Sequence, residues 1–181
     1  FYLPLWFLSF IEPNLTIEIQ EIASPEKVME LNIQENFIRA IYTSLNGVYR
    51  MSPTISGLVE TSNNIAKVTV QKGLIKVKCL IRSSSESNKQ DLTNSLKSAF
   101  ELAGFEVELS GEYPGWQPNV NSKILEIVSN IYEDLHGEKA HVAACHAGLE
   151  CGILGTNYPG MDMVSFGPTI KGAHSPDERL N

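Results

Sequence analysis

Two alternating arms joined by a tight turn constrain this chain more than any other feature. Ile65 to Val70 and Leu74 to Ile81 flank Gln71-Lys72-Gly73, and so short a connection joins only antiparallel neighbours. In the second arm Ile75, Val77, Cys79 and Ile81 share one face, while Lys76, Lys78 and Arg82 share the other, as a period of two requires. One face therefore needs a covering layer, and Cys79 is expected as an ordinary core thiol.

Two helices are the candidates for that layer. Asn32 with Glu35 resembles a capping box, Ile33, Phe37, Ile38, Ile41 and Leu45 follow at helical spacing, and Gly47 closes the run. Ser87 with Gln90 caps a second helix, whose stripe is Leu92, Leu96, Ala99, Phe100 and Ala103 and whose stop is Gly104. Period-two alternation also predicts strands at Leu15–Gln20 and at Phe105–Ser110. Residues 48–56, broken by Ser52-Pro53, read as a loop. The order strand, helix, strand, strand, helix, strand is the α+β, ferredoxin-like βαββαβ pattern, placed at residues 12–112.

Gly111-Glu112-Tyr113-Pro114-Gly115-Trp116-Gln117-Pro118 then marks a crossing between domains. Beyond it, Ile124, Leu125, Ile127, Val128, Ile131, Tyr132 and Leu135 form a broad helical stripe ending at Gly137, of the kind that packs on a sheet. Ala140–Ala144 and Asp162–Phe166 are short strand candidates, with a glycine-rich stretch at 146–160 between them. Residues 119–181 thus read as an α/β segment too short to close its own core.

Composition excludes several classes. With 14 basic and 21 acidic residues the net charge is −7, the wrong sign for a non-specific nucleic-acid binder. The apolar run Phe1–Ile11 falls short of the roughly 20 residues that span a bilayer, and it lacks the flanks of a signal peptide. No nucleic acid and no membrane are therefore expected as partners. Three cysteines, Cys79, Cys145 and Cys151, read as reduced thiols of a cytoplasmic protein. An opening on Phe rather than Met raises the expectation of a fragment.

Candidate chemistry gathers late in the chain. His146 and Glu150 lie in His146-Ala147-Gly148-Leu149-Glu150-Cys151-Gly152, after one predicted strand, and His174 lies in the loop Gly167–Glu178 after the next. Loops at the carboxyl ends of strands are where ligands bind in α/β sheets. The bland readings are a histidine bonded to a turn carbonyl, a Glu150 that merely pairs with a neighbour, and Ser175-Pro176-Asp177-Glu178 as a helix start. A mononuclear zinc site from His141, Cys145, His146 and Cys151 fails on geometry. Strand positions 141 and 145 lie roughly 13 Å apart, whereas zinc ligands converge at about 2.0–2.3 Å. Tyr113 and Trp116 could stack a planar ligand, but aromatics at a crossing more often pack. His136 and His141 receive no role.

Several of these stretches together resemble the aminoacyl-histidine dipeptidases (Xaa-His dipeptidase, peptidase D). They are Ile81-Arg82-Ser83-Ser84, Phe100-Glu101-Leu102-Ala103-Gly104, Tyr113-Pro114-Gly115-Trp116, the 146–152 loop, Met161-Asp162-Met163-Val164-Ser165, Gly167-Pro168-Thr169-Ile170 and His174-Ser175-Pro176-Asp177-Glu178. The resemblance runs from about Gly47 to Asn181, in order. It implies a two-zinc metallopeptidase that hydrolyses dipeptides with metal-activated water and a glutamate base. The 12–112 domain would be its lid, through which such enzymes form homodimers, and 119–181 the end of its catalytic domain. On this resemblance His174 is a zinc ligand, and His146, Glu150 and Arg82 are candidate substrate contacts. The family's His-x-Asp strand end, Glu-Glu pair and Gly-Gly-His-Ser-Gly lid motif do not occur in this chain. The expectation is a carboxyl-terminal part of a longer enzyme, with no catalytic base, no zinc bound and no activity on its own. The competing reading is a non-catalytic ferredoxin-like binding or oligomerisation module.

Overall fold

The computed structural model describes residues 16, 18–146 and 150–181. Contacts divide the chain into two units, Phe1–Glu30 and Leu31–Asn181. In the first, the described residues carry no regular secondary structure, and all but Met29 are exposed. Thr16 and Glu18–Gln20 are therefore not in the strand that alternation predicts, while Leu15, Ile17 and the run Phe1–Ile11 lie outside the described residues.

The second unit is mixed helix and sheet, an α+β architecture. Its elements are α1 (Leu31–Thr43), β1 (Gly47–Met51), β2 (Val59–Gln71), β3 (Leu74–Ser83), α2 (Glu86–Leu102), α3 (Lys123–His136), α4 (Glu150–Asn157), β4 (Ile170–Lys171) and β5 (Arg179–Leu180). β1, β2 and β3 form one antiparallel sheet in that order, and β4 pairs with β5.

The predicted hairpin stands. Lys72 (φ 53°) and Gly73 (φ 76°) take the paired left-handed conformation of the turn that matches strand twist. The pairing Gln71↔Leu74 continues to Lys67↔Lys78, then slips, so that Ile65 faces Cys79 and Ser62 faces Arg82. Ala66 is the surplus residue of a β-bulge.

One face of the sheet base is buried. Thr61, Asn63 and Ser83 are enclosed, Thr61 Oγ1 and Ser83 Oγ lie 2.8 Å apart, and Asn63 Nδ2 donates to the Leu45 carbonyl just after α1 at 2.7 Å. α2 packs on β3 and touches α1, with Leu92 and Leu96 buried one turn apart. The outer half of the hairpin runs beyond this cover. Cys79 is accordingly exposed, not a core thiol, although partial shielding still pushes its thiol pKa up.

Other differences have local causes. β1 occupies residues read as loop, paired from Gly47↔Asn63 to Met51↔Val59; Tyr49 and Arg50 reach Asp91 of α2 at 2.8 and 3.0 Å. α1 ends at Thr43, and Gly47 (φ 113°) opens β1 rather than closing the helix. Asn32 lies inside α1, where its side chain accepts from the next amide at 2.8 Å. The N-cap of α2 is Ser85 rather than Ser87, and its hydroxyl lies 3.1 Å from that of Ser87. Phe105–Ser110 pairs with no strand among the described residues. Its first residue is held instead as the end of a helical turn, Phe105 N–H to the Phe100 carbonyl at 3.0 Å. The Phe105 ring meets Phe37 and Phe100 edge-on at 6.1 and 6.5 Å, an aromatic wedge against both helices.

In the C-terminal part α3 forms where the stripe predicts a helix and is capped at both ends. Ser122 Oγ accepts from Leu125 N–H at 3.1 Å, and Gly137 (φ 72°) closes the helix. Its stripe is not packed on a sheet: none of its residues is buried, and Ile127, Ile131 and Leu135 are exposed. Residues 140–144 and 162–166 carry no ladder, because an extended segment without a neighbour has nowhere to place its backbone bonds. The glycine-rich stretch contains a helix, α4, and Ser175–Glu178 forms a turn rather than a helix start.

Candidate functional site

β3 ends where three backbones cross. After Arg82 the chain passes through the buried Ser83, Ser84 and Ser85 into α2. Against this turn lies Pro114-Gly115: a Cβ on Gly115 would stand 2.6 Å from the Ser83 carbonyl oxygen. α4 presses from the other side, where a Cβ on Gly152 would stand 2.5 Å from the Pro114 carbonyl oxygen. Only glycine permits either approach.

Side chains secure the crossing. Gly115 N–H donates to Glu86 Oε1 at 2.8 Å, and Lys89 Nζ reaches Glu86 at 2.6 Å and the Tyr113 carbonyl at 3.0 Å. Burial alone would raise the Glu86 pKa, but the bonds from Lys89 and Gly115 outweigh it and hold the carboxyl below its ordinary value.

His146 docks on the other face of the sheet. Its Nε2 lies 2.7 Å from Ser62 Oγ, and Ser62 is the cross-strand partner of Arg82. Burial, and then the positive charge of Arg82, push the imidazole pKa below its ordinary value. Arg82 has no carboxylate partner among the described residues. Arg82, His146, Lys89, Tyr113 and Pro114 border one small depression. The Arg82 guanidinium beside a ring held neutral suits an anionic or strongly accepting group, while the Lys89 ammonium is already taken by Glu86.

The structure thus brings Arg82 and His146 together. Glu150 opens α4, exposed, and His174 sits in the β4–β5 hairpin; neither borders that depression. His174 is an exposed residue with φ 63°, and its N–H donates to Glu178 Oε2 at 2.7 Å. Among the described residues no three His, Cys, Asp or Glu side chains converge as a metal site. The exposed His174 ring suits a single donor position, but these residues do not make up a zinc centre. Sequence reasoning missed Ser62 and Lys89; Lys89 lies one turn into α2, and Ser62 is visible only once the bulge sets the register.

A larger cavity of about 660 Å³ lies on the far side of the crossing, bordered by Ser85, Trp116, Cys151, Thr156, Pro159 and Asp162 among others. Asp162 ties its rim to α3, accepting from Ile124 N–H at 3.0 Å. That bond first, with Ser122 and others, lowers the Asp162 pKa.

No family model matches the chain. Among curated proteins it is 41% identical over 170 residues, 94% of its length, to the cytosol non-specific dipeptidase of Escherichia coli (strain K12). Among solved structures it resembles an aminoacylhistidine dipeptidase from Vibrio alginolyticus, with TM-score 0.81 and 44% identity over 96% of this chain. It spans 35% of the length of each. The resemblance carried by the sequence motifs is therefore shown, and the chain matches about a third of a peptidase D-like dipeptidase.

Proposed function

We propose that this chain is part of a cytoplasmic, zinc-dependent dipeptidase acting on Xaa-His and other dipeptides. The observation that carries the reading is the 41% identity to a dipeptidase across nearly the whole chain. The sheet with α1 and α2 would belong to a lid of ferredoxin-like type that also forms the homodimer, and residues 119–181 to the catalytic domain.

In the complete enzyme zinc would supply Lewis-acid activation of water and carbonyl. This chain would bind and orient. Arg82 would hold the carboxylate terminus of the dipeptide, a charge-assisted contact that fixes its direction. His146, kept neutral and anchored on Ser62, would offer its other ring nitrogen to a polar group of the substrate. Glu150 would face the substrate cleft, and His174 would serve as one zinc ligand. With no catalytic base and a single candidate ligand, the chain by itself should neither hold zinc tightly nor cleave dipeptides. Calorimetric titration with zinc and a dipeptide hydrolysis assay test that, and tight stoichiometric binding or turnover would refute it. In a complete dipeptidase carrying this segment, Arg82→Met should raise KM for free dipeptides about 10–100-fold. It should spare dipeptide amides, which lack the carboxylate; an equal effect on both would remove Arg82 from this role.

A further inference from the structure

We propose that Glu178 is a positioning residue, whose carboxylate fixes the left-handed backbone of His174 and so presets the direction in which the imidazole leaves the β4–β5 hairpin. The functional meaning rests on the reading of His174 as a zinc ligand; the geometry stands without it.

His174 has φ 63°, a region that a residue with a Cβ seldom occupies unless its surroundings hold it there. The rest of the turn is served locally. Ser175 N–H and Ser175 Oγ both donate to the Gly172 carbonyl, at 3.1 and 2.7 Å. Asp177 N–H donates to Ser175 Oγ at 3.2 Å, and Glu178 N–H to the Ser175 carbonyl at 3.1 Å. Below it the ladder pairs Ile170 with Leu180 and Lys171 with Arg179. The His174 amide is taken by a side chain instead, donating to Glu178 Oε2 at a short 2.7 Å.

Relaxation of His174 to a right-handed conformation would swing its Cα–Cβ bond, and with it the ring, away from its present direction. A ligand that must meet a metal at about 2.0–2.1 Å gains from having that direction set beforehand. Gln at 178 keeps an acceptor at the same reach, whereas Ala removes it.

Amide hydrogen exchange in the 181-residue chain, read by NMR, tests the assignment. Glu178→Ala should speed exchange at the His174 amide about tenfold, Glu178→Gln should retain most of the protection, and the amides of α2 should not change. Unchanged exchange at His174 in Glu178→Ala would overturn the proposal. A second arm separates it from the zinc reading. In a complete dipeptidase carrying this segment, Glu178→Ala should weaken the zinc Kd about 10–100-fold and Glu178→Gln less. If His174→Ala leaves that Kd unchanged, the zinc reading fails and the amide result is untouched. If His174→Ala weakens it and Glu178→Ala does not, the positioning role fails alone.

Discussion

The sheet base under α2 and the helix α3 are both amphipathic, yet they end differently. At the base, Thr61, Asn63, Ser83, Leu92 and Leu96 are enclosed, and the polar members bond one another or a nearby backbone. α3 is better capped at both ends than α2 but buries none of its residues. Caps and spacing decide that a helix forms; burial depends on an opposing layer, and α3 has none among the described residues. Helical pattern and core membership are separate properties, and this chain shows them apart.

Three perturbations sharpen the contrast. The largest effect is expected at Leu92, fully enclosed. Leu92→Ala should cost about 2–5 kcal/mol, while Ile131→Ala on α3 should change stability by no more than about 0.5 kcal/mol. Denaturant midpoints compare the two directly, and equal losses would erase the distinction.

Next comes the crossing that joins the two regions. Gly152→Ala drives a methyl toward the Pro114 carbonyl and should cost about 1–3 kcal/mol. The change should also disturb the NMR resonances of Ser83–Glu86, with Ile131→Ala as the silent control.

The smallest effect is electrostatic. His146 is half-buried beside Arg82, so its folded pKa lies below the ordinary histidine value, and the unfolded chain takes up the proton first as pH falls. The stability carried by the His146–Ser62 contact is therefore whole above about pH 6.5 and is lost as pH drops through the depressed folded value. Arg82→Met should move the His146 titration upward in an NMR pH series, and a downward shift would contradict the stated cause.

Much of this was legible in the residues. The turn at Lys72-Gly73, the α2 stripe around Leu92, the Gly137 end of α3 and the motifs of the dipeptidase resemblance all follow from local patterns. What stayed hidden depended on contacts distant in sequence. α4 carries Gly152 and Gly155 inside a helix, a local cost of about 1 kcal/mol each, and Gly152 earns its place only through Pro114. Phe105 alternates like a strand residue, but its ring wedges against Phe37 and Phe100. Cys79 sits on the predicted face of β3 and is exposed there all the same. For the candidate site, spacing pointed to the 146–152 and 167–178 loops; it could not bring His146 onto Ser62, 84 positions earlier.

Ala66 has a reach out of proportion to its size. Counted straight back from the turn, Arg82 would stand opposite Asn63, and the two neighbours would exchange sides: the amide now enclosed beneath the helices would emerge, and the hydroxyl that meets the imidazole would turn inward. One surplus residue works as a phase shifter, leaving the tip of the hairpin alone while choosing which chemistry its root presents. Length changes in that strand would be read out at the imidazole, whatever side chains they happened to bring.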